Sequence, residues 1–118
     1  MPPIQDFSIP LGDDMNVVFN LDPAGDISLT GAAVTWQVYA MNFTMPDVTQ
    51  QLIAKDSSGL GGVTIDDVAG QFTVHLVAAD TSALMIGNYY HEAEVVDAGG
   101  NHATVCQGGM AVTMAMIP

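Results

Sequence analysis

The sequence predicts an all-β protein built as a sandwich or a barrel. Short runs in which apolar and polar residues alternate recur along the chain, and this is the period of a half-buried strand. Turn-forming Gly, Asp, Asn and Pro separate these runs roughly every 8–12 residues, a spacing typical of sandwiches and barrels. No run keeps a helical period for longer than one turn, so the pattern argues against a helical protein.

Four candidate strands lie in the first half of the chain. The clearest is GAAVTWQVYAM at 31–41, where every second residue from Val34 to Ala40 falls on one face, which we assign to the core. A turn rich in Pro, Gly and Asp at 22–26 reverses the chain before it. The other three candidates are QDFSIP at 5–10, MNVVFNL at 15–21 and the weaker VTQQLIAKD at 48–56.

The second half predicts a hairpin, one helical turn and two long strands. VTI at 63–65 and GQFTVHLV at 70–77 flank a turn and predict the hairpin. ADTSALMIG at 79–87 breaks the two-residue period, and its Asp80 suits a single helical turn that crosses between sheets. The two strands are NYYHEAEVVD at 88–97 and HATVCQGGMAVTMAM at 102–116, the second bent or bulged at Gly108–Gly109.

A lone Trp in mid-strand and a Tyr just after the crossing turn favour a sandwich over a barrel. Trp36 and Tyr89 occupy the positions that such residues take in an immunoglobulin-like core. The sequence therefore predicts an immunoglobulin-like antiparallel β-sandwich of about seven to eight strands, formed by one domain over residues 1–118. The cysteine pair of antibody domains is absent. The side chains assigned to the structural core are Trp36, Val38, Phe72, Val74, Tyr89 and Val95.

The charge of the chain restricts its partners. Thirteen Asp and Glu stand against one basic residue, Lys55, for a formal net charge of -12. Binding to nucleic acid or to an anionic membrane needs several Lys or Arg, so neither is a predicted partner. A neutral, basic or metal-bearing partner remains, as does a simple role of the charge in solubility.

Composition also indicates that the chain folds and in which cell compartment it does so. Apolar residues make up 49% of the chain and the mean hydropathy is +0.34, which favours a folded over a disordered protein. The single cysteine, Cys106, cannot form an internal disulfide. The opening MPPIQDFSIP has neither the basic nor the long apolar segment of a signal peptide. Synthesis and folding in a reducing cytoplasm is the expectation.

Residues that could carry chemistry are scattered. His75, His91 and His102 lie in three predicted elements without a metal-ligand spacing. We expect His75 to face solvent, and His91 to be half-buried and hydrogen-bonded. Cys106 is expected to be buried and inert. The sequence therefore predicts a protein that is not an enzyme, with no cofactor and no catalytic or metal-binding residue.

Pairs of aspartates leave one alternative open. Asp13–Asp14, Asp66–Asp67 and the two residues Asp22 and Asp26 could offer oxygen ligands to calcium. Turn formation alone also favours Asp at such places.

Methionine is the one residue type whose abundance indicates a function. The chain has eight methionines, and Met is favoured at adaptable contact surfaces. The segment Met114–Pro118 is apolar and uncharged. We hypothesise that it packs on a neighbouring subunit to form a homo-oligomer, the alternative being that it only completes the last strand. The residues assigned to this assembly interface are Met110, Met114, Met116 and Ile117, with Met85 nearby.

One longer pattern combines strand and turn positions. It consists of LTGAAVTWQV at 29–38, a lone Lys55 after an apolar strand, a turn and a closing segment. This pattern, over about residues 13–113, resembles the small immunoglobulin-like modules of tailed-phage virions. The turn is formed by Asp80, Thr81, Leu84, Gly87 and Tyr89, and the closing segment by Asp97, Gly100, Gly108 and Val112.

The resemblance extends to the N-terminal domain of baseplate upper proteins and to related tail, neck and capsid-surface domains. It implies a virion structural protein, made in the host cytoplasm, whose partners are other virion proteins. Because the domain stands alone, a capsid decoration or cement protein on the major capsid protein is favoured over a tail, neck or baseplate component. The other alternative is an adhesive glycan-binding module, for which Tyr39 and Phe43 are the exposed aromatic candidates.

Overall fold

The described residues of the chain form eight strands and one helical turn. The computed structural model describes residues 4–21, 29–42 and 44–114. None of the helical structure in these ranges is long and apolar enough to cross a membrane. The elements are β1 (Phe7–Pro10), β2 (Met15–Asn20), β3 (Ala33–Asn42), β4 (Met45–Asp56), β5 (Val63–Asp66), β6 (Gln71–Leu76), α1 (Ala78–Thr81), β7 (Gly87–Val96) and β8 (His102–Thr113).

Two sheets pack face to face as a sandwich. The larger has the order β1-β8-β7-β3-β4 and the smaller β2-β6-β5. The predicted sandwich of immunoglobulin-like character is confirmed, with one correction to its antiparallel description. β1 and β8 pair in parallel, whereas the other neighbouring strands pair in antiparallel fashion. A parallel pair needs a long connection, and nearly the whole chain lies between these two strands.

The core fills the space between the two sheets. Trp36 is fully buried in β3, flanked on the same face by Val34 and Val38. Burial of each large apolar side chain contributes about 1.5–3 kcal/mol to folding. The buried apolar side chains are Ile9, Phe19, Leu29, Val34, Trp36, Val38, Ile53, Val63, Phe72, Val74, Leu76, Ala93, Val95, Val105, Cys106, Met110 and Val112.

Tyr89 packs against this core without being fully buried. Its hydroxyl donates a hydrogen bond of 2.6 Å to the carbonyl oxygen of Met85, four residues earlier. This is the arrangement of a tyrosine corner, in which the hydroxyl ties the start of a strand to the preceding connection. Tyr89, which the sequence assigned to the structural core, therefore lies at the edge of that core and ties the start of β7 to the connection before it.

The helical turn α1 crosses from the smaller to the larger sheet, as the broken period predicts. It begins at Ala78, and Asp80 lies in its third position, where the carboxylate accepts a hydrogen bond of 2.8 Å from the backbone N–H of Val77. The same carboxylate is 2.8 Å from the ammonium group of Lys55 on β4. The only basic residue of the chain is thus engaged within its own domain.

The bulge in β8 does not lie at Gly108–Gly109, so that prediction was wrong. Pairing between β7 and β8 is regular through both glycines. It shifts between Ala93 and Glu94, where β8 has Val105 as an extra residue. A β-branched side chain can occupy this bulge because the extra residue needs no positive φ.

Gly108 is required by a close approach of the N-terminal segment. A Cβ at this position would lie 2.5 Å from the carbonyl oxygen of Gln5. Gly109 has more room, since its nearest neighbour would be the carboxylate of Asp6 at 3.7 Å. Gly108 therefore lets the chain before β1 lie against β8.

Two strands begin or end a few residues away from their predicted boundaries. β4 begins at Met45, three residues before the predicted start at 48, and β8 ends at Thr113 rather than at 116. The predicted turn at 22–26 and the residues after Met114 lie outside the described residues.

We expect Gly108→Ala to destabilise the fold, because its methyl group would overlap the carbonyl oxygen of Gln5. The free energy of unfolding, measured by urea denaturation, should fall by about 1–3 kcal/mol. Gly109→Ala is the matched control and should change it by less than about 0.5 kcal/mol. Equal losses in the two variants would contradict the close-approach explanation.

Candidate functional site

Four exposed apolar side chains define what we call the apolar end. They are Val77, Met85, Ile86 and Met114, with exposed fractions of 48%, 80%, 54% and 66%. Val77 directly precedes α1, and Met85 and Ile86 lead into β7. The first residue of β7, Gly87, pairs with Val112, two residues before Met114.

The turn between β1 and β2 ties these segments together. The N–H of Leu11 donates to the carbonyl oxygen of Thr113 at 2.8 Å. The N–H of Gly12 donates to the hydroxyl of the buried Thr81 at 3.0 Å, and Asp14 accepts from the N–H of Ala78 at 2.8 Å. The start of α1 and the end of β8 therefore lie at one end of the sandwich.

The structure divides the four residues that the sequence assigned to an assembly interface. Met114 is exposed at the apolar end, whereas Met110 is fully buried. Met110 cannot belong to a surface, because β8 alternates and this residue faces the core together with Val112. Met116 and Ile117 lie outside the described residues.

The outer face of the larger sheet carries two neighbouring tyrosines. Tyr39 on β3 pairs with Tyr90 on β7, and their ring centroids are 6.4 Å apart. The Tyr39 hydroxyl donates to Gln37. The Tyr90 hydroxyl lies 3.0 Å from a carboxylate oxygen of Glu92, and partial burial with this neighbour raises the pKa of Tyr90 to about 12. Phe43, the other aromatic candidate, lies outside the described residues.

Beside Tyr90 the outer face has an open depression of about 380 Å³. It is lined by Gly109 and Ala111 of β8 and by Asp6, Met41 and Asn88. No pattern in the sequence predicts this depression.

His91 lies in the core and accepts a hydrogen bond there. Its Nδ1 accepts from the indole N–H of Trp36 at 3.1 Å, which places the ring proton on Nε2, 2.6 Å from the carbonyl oxygen of Gln5. The expected hydrogen bonding is confirmed, but the side chain is fully rather than half-buried. Burial lowers the pKa of His91, while the Gln5 carbonyl and the charge of Asp6 oppose that shift.

The other two histidines lie on outer faces. His75 is half-buried, with its ring nitrogens 2.8 Å from Asn16 Oδ1 and 2.8 Å from Thr64 Oγ1. His102 is exposed, and its Nδ1 is 3.1 Å from a carboxylate oxygen of Glu94. The three histidines therefore lie in different environments and form no common site.

Cys106 is buried, as expected for an inert thiol. Burial, with the charge of Glu92, raises the pKa of Cys106 to about 12, so the thiol stays protonated at neutral pH. A protonated thiol is a poor nucleophile.

Two of the aspartates that could have suggested calcium accept hydrogen bonds from the backbone. Asp66 accepts from the N–H of Ala69 at 3.1 Å within its own turn, and Asp14 accepts from the N–H of Ala78 at 2.8 Å at the start of α1. Asp97, which was not a calcium candidate, likewise accepts from the N–H groups of Gly99 and Asn101 at 2.9 Å each. Hydrogen bonds, chiefly from Asn101, lower the pKa of Asp97. Within the described ranges no three metal-ligating side chains converge. Asp22 and Asp26 lie outside those ranges.

No protein-family model matches the chain, and no curated protein is significantly similar to it.

We expect acid to destabilise the fold through His91 before it does so through the carboxylates. Because the folded state lowers the pKa of His91, its neutral form contributes stability above the ordinary value of 6.5. That contribution is lost as the pH falls below 6.5, whereas the lowered pKa of Asp97 acts only below 3.8. Urea denaturation between pH 7 and pH 5 should show a falling free energy of unfolding.

His91→Gln removes the titrating group, and His75→Gln is the matched control. The fall between pH 7 and pH 5 should vanish in the first variant and persist in the second. An NMR titration of the wild-type imidazole, expected to stay neutral below pH 6.5, covers the case in which His91→Gln does not fold. A slope that persists in a folded His91→Gln protein would contradict the assignment.

Proposed function

We propose that this chain is a non-enzymatic structural component of a tailed-phage virion, which decorates the capsid by binding the major capsid protein. The observation that carries the proposal is the apolar end, where four apolar side chains are exposed at one end of the sandwich. Apolar surface that is concentrated in one region of a folded domain is typical of a protein contact. The virion context is supported by the sequence pattern that resembles immunoglobulin-like phage modules.

The apolar end supports self-association. Met85 and Met114 are its most exposed members, and methionine side chains adapt to partner surfaces without strain. The uncharged residues 115–118 follow directly in the sequence. A homo-oligomer formed through this end would remove the exposed apolar area from water.

The reactive groups of the domain support a non-enzymatic role. The thiol of Cys106 is buried, and Nδ1 of His91 already accepts a hydrogen bond from the indole N–H of Trp36. Within the described ranges no buried side-chain nitrogen or oxygen lacks a hydrogen-bond partner. Enzymes often keep polar groups in a cleft that are satisfied only by substrate, whereas this interior is satisfied by itself.

The charge supports a lattice partner that is neutral or basic. The chain has a formal net charge of -12, and its only cation, Lys55, is paired with Asp80. An acidic face directed to solvent would also keep the assembled particle soluble.

We expect the double variant Met85→Ser/Met114→Ser to weaken self-association, because it removes the two most exposed side chains of the apolar end. Light scattering after size exclusion should give an oligomer for the wild type and a shift toward the monomer for the variant. Leu60→Ser/Val68→Ser is the matched control, since both residues are exposed in turns elsewhere. A monomeric wild type, or equal shifts in the two variants, would contradict the interface.

Virions produced from the genome that encodes the chain test the biological role. Mass spectrometry of purified particles should find the chain in many copies, and immunogold labelling should place it on the head. Label on the tail or baseplate would move the assignment to those structures. Particles without the chain would refute the virion role.

A further inference from the structure

The depression on the outer face arises from a missing side chain next to an aromatic ring. In one row across the larger sheet, Tyr39 pairs with Tyr90, and Tyr90 pairs with Gly109. Tyr39 lies beside one side of the Tyr90 ring. On the other side Gly109 has no side chain, which leaves the volume of about 380 Å³ open to solvent.

One residue in the lining of this depression carries a carboxylate that is held in place. Asp6 lies in the segment just before β1, and its Oδ1 accepts a hydrogen bond of 2.7 Å from the N–H of Gly109. The side chain is therefore held in place although the residue is exposed. An aromatic ring and an oriented carboxylate thus line one site.

This pairing of groups suits a guanidinium. The planar cation can lie against a tyrosine ring while its N–H groups donate to a carboxylate. Charge-assisted hydrogen bonds of this kind are stronger than neutral ones. The formal charge of -12 adds a field that attracts a cation from any direction.

We propose that the depression between Tyr90 and Asp6 binds an arginine side chain of a partner protein. The proposal rests on the proposed function and deepens it, because it names the chemistry that the partner presents. The partner cannot be a second copy, since the sequence contains no arginine. A second copy cannot substitute its lysine either, because Lys55 is paired with Asp80.

The test uses the purified wild-type chain and three short peptides. Acetyl-Gly-Arg-Gly-amide is compared with the same peptide carrying lysine or citrulline, the last being an uncharged analogue of arginine. In ¹H–¹⁵N spectra at low salt, the arginine peptide should shift the amides of Tyr90, Gly109 and Asn88 with a dissociation constant of about 1–10 mM. The lysine peptide should bind several-fold more weakly, and the citrulline peptide should cause no shift.

Matched variants separate the site from general attraction to an acidic protein. Asp6→Asn keeps the acceptor for Gly109 but removes the charge, so it should weaken binding by about tenfold. Glu94→Gln removes an exposed charge from the same face, roughly 14 Å along β7 from Tyr90 at 3.4 Å per residue, and should change the dissociation constant less than twofold. Tyr90→Leu should weaken binding several-fold, and Tyr39→Leu should not.

Three outcomes would overturn the proposal. One is shifts spread over the whole acidic surface, and another is equal weakening by Asp6→Asn and Glu94→Gln. The third is that methyl glucoside shifts the same amides while the arginine peptide does not, which would assign the depression to a saccharide. None of these outcomes bears on self-association at the apolar end or on the presence of the chain in virions, so the two proposals fail separately.

Discussion

The indole N–H of Trp36 sets a requirement that the rest of the domain meets. In the middle of an apolar core this donor would be costly without an acceptor, and Nδ1 of His91 provides one. The histidine must then stay neutral and needs an acceptor for its other nitrogen, which is the carbonyl oxygen of Gln5. Gln5 can reach that place because Gly108 leaves room for its backbone. Two linked hydrogen bonds thus connect the centre of the core to the N-terminal segment.

Alternation along the sequence was sufficient to predict the strands and, for β3, β6 and β7, the face that each one buries, since period two is a local property of the backbone. Features that depend on pairing between strands were not predictable. Gly108–Gly109 suggested a bulge because paired glycines often mark one, yet the bulge lies at Val105. The parallel pairing of β1 with β8 is likewise set by contacts between the two ends of the chain.

The two candidate surfaces were also predictable to different degrees, because each depends in part on pairing between strands. Hydrophobicity alone drew attention to the C-terminal methionines, but only the face of β8 separates the exposed Met114 from the buried Met110. The depression could not be predicted from a single sequence. It requires Gly109 to be opposite Tyr90 and the segment before β1 to bring Asp6 to the same place. That Gly109 lies opposite Tyr90 on the outer face of the sheet follows only from the register between β7 and β8.

The charge of the chain gives its two surfaces different partners. Copies with a formal net charge of -12 repel one another, so contact between them has to come from apolar area such as the apolar end. The depression has the opposite preference, because its carboxylate and the same net charge attract a guanidinium group, which no copy of this chain can present. Salt screens both the repulsion and the attraction. Higher ionic strength therefore favours association between copies and weakens binding to a basic partner, so the two contacts depend on salt with opposite sign.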